Sequence, residues 1–201
     1  ATMAAIIMEY VDGGNFIDLK HAHRGGCLDT TKLLPWLEQL CPVLDYAHFD
    51  IKIAHRDLKP HNLMYTTAGR LKVADFGISS MLNDTVSRVS MRNSTSGTPA
   101  YMSPQQIMGG RASHLDDIYA LGATIYELIT GKPPFYKGQV LAQVLDSAPV
   151  SMTARREELG VTGKAAISPV WEEAIAACLA KEPARRPQSA GEVLKRLKSS
   201  S

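Results

Sequence analysis

Apolar residues recur at helical spacing over long stretches of this chain and gather into short runs elsewhere. From Thr31 onward, Leu33, Trp36, Leu37, Leu40, Leu44 and Ala47 fall on one helical face, with Thr30 or Thr31 placed to cap it. Pro35 suits the first turn of that helix. Pro42 lacks the N–H that a helix interior needs, so it bends the helix or leaves a carbonyl unpaired. Asp116 to Thr130 predicts an apolar-rich helix closed by Gly131, with Pro133 and Pro134 beyond. Trp171 to Leu179 predicts another, with Ser168 as N-cap and Pro169 in its first turn. Val193, Leu194 and Leu197 give a last amphipathic helix whose Lys195, Arg196 and Lys198 form a solvated face. Between these lie shorter signals. The run Ala4 to Tyr10 predicts a buried strand, ended by the turn Asp12-Gly13-Gly14-Asn15. Leu63-Met64-Tyr65 and Leu71 to Ala74 predict a hairpin around Thr67-Ala68-Gly69. The pattern is that of an α+β chain, mostly α-helical, with a few short strands.

Composition narrows this picture only slightly. The chain has 201 residues, enough for one well-packed domain, and 45% hydrophobic and 21% charged residues are ordinary for a globular protein. A net charge of +2 gives no reason to expect nucleic acid or an anionic membrane as partner. Cys27, Cys41 and Cys178 are too few and too scattered for a disulfide framework, and read as buried thiols of a reducing compartment. No apolar run reaches the roughly 18 residues that a membrane span requires. The expectation is a soluble segment, cytoplasmic or on the cytoplasmic side of a larger protein. His21, His23 and Cys27 match no strong zinc spacing and sit in a loop marked by Gly25-Gly26.

The chemistry concentrates between residues 55 and 77. The chain reads His55-Arg56-Asp57-Leu58-Lys59-Pro60-His61-Asn62, then the hairpin, then Asp75-Phe76-Gly77. A carboxylate such as Asp57 can accept the proton of an attacking hydroxyl, and Lys59 can neutralise charge on a transferred phosphoryl group. The amide oxygen of Asn62 and the carboxylate of Asp75 are hard ligands suited to Mg²⁺. This set resembles the catalytic loop and metal-binding turn of protein kinases. Thr98 in Gly97-Thr98-Pro99, paired with Lys59 two places after the base, is the pattern of serine/threonine rather than tyrosine kinases. Ser103-Pro104-Gln105-Gln106 is similar to eukaryotic-like kinases of bacteria, whose relatives elsewhere end this segment in Ala-Pro-Glu.

The resemblance implies a protein-kinase-like fold, with residues 17–201 as the C-terminal lobe and 1–16 as the last strand of the N-terminal lobe and the hinge. It implies ATP and Mg²⁺ as cofactors and a protein with a serine or threonine acceptor as partner. Met8 is then the gatekeeper, the main chain of Glu9 and Val11 meets the adenine edge, and Asn15 falls at the ribose. Met64 would lie under the adenine ring. Asp117 would hold backbone donors of the catalytic loop. Arg56 would pair with a phosphate on the loop that carries Thr85, Ser87, Ser90, Ser94, Thr95 and Ser96; the plainer reading of these hydroxyls is a solvated loop. Gln105 stands where relatives carry a glutamate paired with the arginine matched here by Arg186.

No Gly-x-Gly-x-x-Gly occurs in these residues, so the resemblance covers the large lobe and the N-terminal lobe is missing from them. Two functions follow. One is a protein serine/threonine kinase that transfers the γ-phosphoryl group of ATP. The alternative is a catalytically inactive, protein-binding module, truncated or pseudokinase-like.

Overall fold

In the computed structural model, which describes residues 8–76 and 98–199, the first long periodic stretch forms the helix Thr30–Asp45 (α2). It follows a short strand, Gly14–Asn15 (β1), and a six-residue helix, Phe16–His21 (α1). Leu33, Leu37, Leu40, Cys41 and Leu44 bury the inner face of α2. The N-cap position is Asp29 rather than Thr30 or Thr31, and its carboxylate accepts from Ala165 N–H (3.1 Å) instead of capping its own helix. Pro42 sits inside α2 without ending it. Beyond Asp45 the chain widens into a π-helical turn, Tyr46–Asp50, in which Ile51 N–H reaches back five residues to Tyr46 C=O (3.1 Å). The wider turn carries His48 into the interior.

Leu63–Tyr65 (β2) and Leu71–Val73 (β3) form the expected hairpin, and β1 joins them in one antiparallel sheet of order β1-β2-β3. Gly14 pairs with Tyr65 and Asn15 with Met64; Leu63 pairs with Val73. The sheet is tied to α2 by Gln39, whose amide donates to Gly69 C=O (3.2 Å) and accepts from Leu71 N–H (2.9 Å). The apolar run from Ala4 requires a correction where it is described. Residues 8–10 form no strand, and Met8 and Tyr10 are exposed at 67% and 87%. A strand needs a neighbour to satisfy its backbone, and no backbone hydrogen bond joins 8–11 to another described segment.

Pro104–Ile107 (α3) is a short helix that leads to His114–Thr130 (α4), the axis of the domain. Residues 116–130 of α4 are all buried. It starts two residues before the expected Asp116, because Ser113 accepts from Leu115 N–H while Asp116 reaches back to Ser113 N–H (3.1 Å). Gly131, at φ 92°, ends it. Val140–Asp146 (α5), Met152–Glu158 (α6), Pro169–Cys178 (α7) and Ala190–Lys198 (α8) complete the described helices. The N-terminus of α8 docks on the end of α2, where the Asp45 carboxylate accepts from Ala190 and Gly191 N–H (2.8 and 2.9 Å). Among the described residues no helix is long and apolar enough to cross a membrane.

Helices α4 and α7 approach so closely at Gly122 that a Cβ there would lie 2.5 Å from Cys178 Cβ. Helix propensity favours alanine over glycine by about 1 kcal/mol, but the overlap outweighs it because neither backbone is free to retreat. Gly122→Ala is expected to destabilise the chain by roughly 1–3 kcal/mol, read from the midpoint of urea unfolding. A neutral or stabilising result would show that the two helices separate easily.

Candidate active site

The loop from His55 to Asn62 is held by a carboxylate from another element. Asp117, in the first turn of α4, is fully buried and accepts from His55 N–H, Arg56 N–H and His48 Nε2, each at 2.7 Å. Three donors and the positive end of α4 replace the water that this carboxylate lost. Arg56 adopts φ 65°, a left-handed conformation that costs a side chain energy unless its neighbours enforce it. Asp117 fixes its N–H, and Gln106 of α3 donates to its C=O (2.9 Å). His55 ties the loop to the segment after β3. Its Nδ1 accepts from Asp57 N–H (3.2 Å), so Nε2 carries the proton and donates to Ala74 C=O (2.8 Å). The same ring packs on Phe76 at 4.7 Å between centroids.

Within this frame the expected polar groups converge. Lys59 Nζ and Asn62 Nδ2 lie 2.8 and 3.0 Å from Asp57 Oδ2, and Asn62 Nδ2 also donates to Asp57 C=O (2.8 Å). Asp57 Oδ1 is left without a hydrogen bond among the described residues, as is Asn62 Oδ1. Ala74 N–H donates to Asn62 C=O (2.8 Å), which places Asp75 next to the strand end that carries Asn62. Asp75 is exposed and also left-handed, at φ 60°. An amide oxygen and a carboxylate are both hard donors. Mg²⁺ needs no more from a protein, since waters and phosphate oxygens complete its shell.

The remaining expected residues are distributed around this loop. Met64 lies in β2, half-buried, opposite Asn15 and Lys72. Glu9 is exposed and paired with Lys72 (2.9 Å), and Val11 is half-buried. Asn15 caps α1: its Oδ1 accepts from Ile17 and Asp18 N–H (2.8 and 3.1 Å), so that oxygen is already committed. Thr98 opens the 3₁₀ turn Thr98–Tyr101. Gly77 and the hydroxyls at 85, 87, 90 and 94–96 lie outside the described residues.

Several participants escaped the sequence reading. His48 is one, delivered by the π-helical turn. Gln106 is another; its signal was the capping pattern Ser103-x-x-Gln106, which the structure contains. A third is a buried trio. Lys20 of α1 donates to Glu127 Oε1 (2.6 Å), and the Tyr101 hydroxyl donates to Glu127 Oε2, joining α1, α4 and the turn after Thr98. Burial, reinforced by Glu127, pushes the Tyr101 hydroxyl well above the usual phenol range, so it stays a donor.

The Gln105–Arg186 contact exists. Arg186 Nη2 donates to Gln105 Oε1 (2.6 Å), and its other donors reach the carbonyls of Leu115, Ala180 and Lys181. Burial lowers the affinity of Arg186 for its proton, while the charge of Asp116 works the other way. Gln105 also donates to Lys181 C=O (3.0 Å), a bond that a glutamate would lose. Gaining a charged partner is worth about 1.5–3 kcal/mol and losing a neutral bond about 0.5–1.5 kcal/mol. Gln105→Glu is therefore expected to stabilise the chain by about 1 kcal/mol. In an Arg186→Met background the sign should invert, since the half-buried carboxylate would have lost its cationic partner. Equilibrium unfolding of the four proteins gives the coupling, and equal effects in both backgrounds would refute it.

Comparison with known proteins decides the family. The sequence profile described as Protein kinase domain matches residues 1–197. The chain belongs to the protein kinase family. It is 34% identical over 191 residues to the serine/threonine-protein kinase PknB of Mycolicibacterium smegmatis, covering 94% of this chain and 29% of that one. It is 41% identical over 130 residues to the serine/threonine-protein kinase PrkC of Bacillus subtilis, covering 65% of this chain and 19% of that one. The crystal structure of the PknI kinase domain of Mycobacterium tuberculosis superposes with a TM-score of 0.69 at 25% identity, covering 96% of this chain and 63% of that one. The chain thus spans under a third of the full PknB protein. The kinase fold expected from the sequence is the fold observed, and the family's bacterial serine/threonine members are among its relatives.

Proposed function

We propose that this chain carries the catalytic lobe of a protein serine/threonine kinase, which transfers the γ-phosphoryl group of ATP to a serine or threonine of a protein. Asp57 is the base. Its Oδ2 is anchored by Lys59 and Asn62, which leaves Oδ1 to accept the proton of the incoming hydroxyl. That arrangement, on a loop clamped by Asp117, is the single observation that supports the reading most strongly. Lys59, 2.8 Å from Asp57, would turn to the transferred group when ATP is bound. Asn62 Oδ1 and Asp75 would hold Mg²⁺, which when bound neutralises phosphate charge. Thr98 would help position the acceptor. The main chain at Glu9 and Val11 would take the adenine edge next to Met8, with Met64 beneath the ring. Asn15 would sit at the ribose, and its capping role makes that contact the weakest of the set. Use of ATP assigns the reaction to the cytoplasm or to the cytoplasmic face of a larger protein.

The phosphate loop and its lysine are not among these 201 residues. Orientation of the phosphates can carry about 7–11 kcal/mol of a barrier, so the 201 residues alone should show almost no turnover. Incubation with labelled ATP, Mg²⁺ and a basic protein checks this; a rate in the range of about 1–100 s⁻¹ would overturn it.

A further inference from the structure

At the end of α4 remote from Asp117 lies a feature that phosphoryl transfer does not use. Helices α4 and α7, the segment 149–151 and the start of α6 enclose a half-open groove of about 260 Å³. Tyr126, Val150, Met152, Ile175, Ala176 and Leu179 supply apolar walls. Glu172 and Glu173 also line it, and no basic side chain does. Glu172 accepts from Met152 N–H, Thr153 N–H and the Thr153 hydroxyl (2.9, 2.7 and 2.8 Å), which orders the start of α6. Glu173 is exposed and has no charged or hydrogen-bonded partner among the described residues. Arg155, behind the Tyr126 hydroxyl at 3.2 Å, is paired with Glu158.

The mouth has a second property. Residues 148–150 belong to no helix or strand. Val150 C=O accepts from the Tyr126 hydroxyl (2.8 Å), which fixes the segment. The N–H groups of Ala148 and Val150 and the C=O of Ala148 have no partner among the described residues. An anchored backbone with unpaired groups beside an apolar groove is what an extended peptide uses to dock.

We propose that this groove docks an extended segment of a partner protein in which apolar and basic residues alternate. The apolar side chain enters between Tyr126 and Ile175, a neighbouring arginine or lysine meets Glu173, and the partner's main chain lies along 148–150. Charge decides the class of occupant. A fatty acid would bring its own carboxylate to Glu172 and Glu173, whereas a basic peptide brings the complement. Tyr126 lies nine residues beyond Asp117, roughly 14 Å along the helix, so docking leaves the catalytic loop clear and does not depend on phosphate transfer.

Fluorescence anisotropy of the 201-residue chain with a labelled eight-residue peptide alternating arginine and leucine tests this without nucleotide. Saturable binding is expected, weaker by about ten-fold or more for a peptide alternating glutamate and leucine. Glu173→Lys and Ala176→Arg, both at exposed positions of α7, should each weaken it by about ten-fold with the unfolding midpoint unchanged. Should either fold poorly, the milder Glu173→Gln should still weaken binding by about three-fold. Equal affinity for the two peptides, no saturation, no loss in Ala176→Arg, or competition by decanoate at equal affinity would each overturn the proposal.

Discussion

Asp57→Asn and Asp75→Asn, in a polypeptide joining these residues to a kinase small lobe, are both expected to abolish transfer, but by different routes. An asparagine at 57 retains an oxygen for Lys59 and Asn62, so the loop should keep its shape. It cannot take a proton. The loss should be of the order attributed to general bases, about 10²–10⁴-fold in kcat, with ATP affinity nearly unchanged. An asparagine at 75 removes a charge that no other described residue balances at this site. Mg²⁺ and the nucleotide that it accompanies should then bind more weakly, and kcat should fall as well. Titration of an ATP analogue into the two variants separates the routes. Equal loss of affinity in both would show that the roles are wrongly divided.

Asp117→Asn should produce a large loss of stability for an isosteric change. The carboxylate is wholly buried and serves three donors with two oxygens, one of them shared by His48 Nε2 and His55 N–H. An amide supplies one oxygen and one NH₂. If the NH₂ faces His48, the ring can adapt by moving its proton to Nδ1, which has no partner now, but His55 N–H is then orphaned. If the NH₂ faces the other way, Arg56 N–H is orphaned and its left-handed conformation loses an anchor. One unmet buried donor costs about 1–3 kcal/mol, and loss of charge assistance adds to it. The expected total is roughly 2–4 kcal/mol by urea unfolding. His48→Ala should cost less, because both backbone donors keep their acceptor. A change below about 0.5 kcal/mol in Asp117→Asn would mean that the loop is held by other contacts.

How far the sequence disclosed this arrangement depended on the range of each interaction. The stripe from Leu33 to Leu44 and the apolar stretch of α4 were legible, because periodicity is a property of neighbours in the chain. So was the hairpin of β2 and β3. The roles of Asp57, Lys59, Asn62 and Asp75 were suggested by motif order, and the convergence of Asp57, Lys59 and Asn62 is now visible in distances. His48 was not legible. Its path inward depends on a π-helical turn after Pro42, and a proline announces disturbance without specifying its form. The Lys20–Glu127 pair joins positions 107 residues apart, and nothing local to either marks it. A glutamate that is the one charged residue of the helix after Asp117 was the clue, since a buried charge calls for a partner. Met8 and Tyr10 failed in the opposite sense. Their apolar character predicts burial, but burial requires a neighbour that a local pattern cannot show.

The central claim is that Asp57 serves as base for transfer to a hydroxyl amino acid. Its most direct test is to supply [γ-³²P]ATP and a protein acceptor to the two-lobed polypeptide, wild type beside Asp57→Asn, and to identify the labelled amino acid after hydrolysis. The expected result is label on phosphoserine or phosphothreonine with the wild-type site, and none above background with Asp57→Asn. Label on phosphotyrosine, undiminished labelling in the variant, or no transfer by a wild-type protein that binds Mg²⁺ and ATP would contradict it.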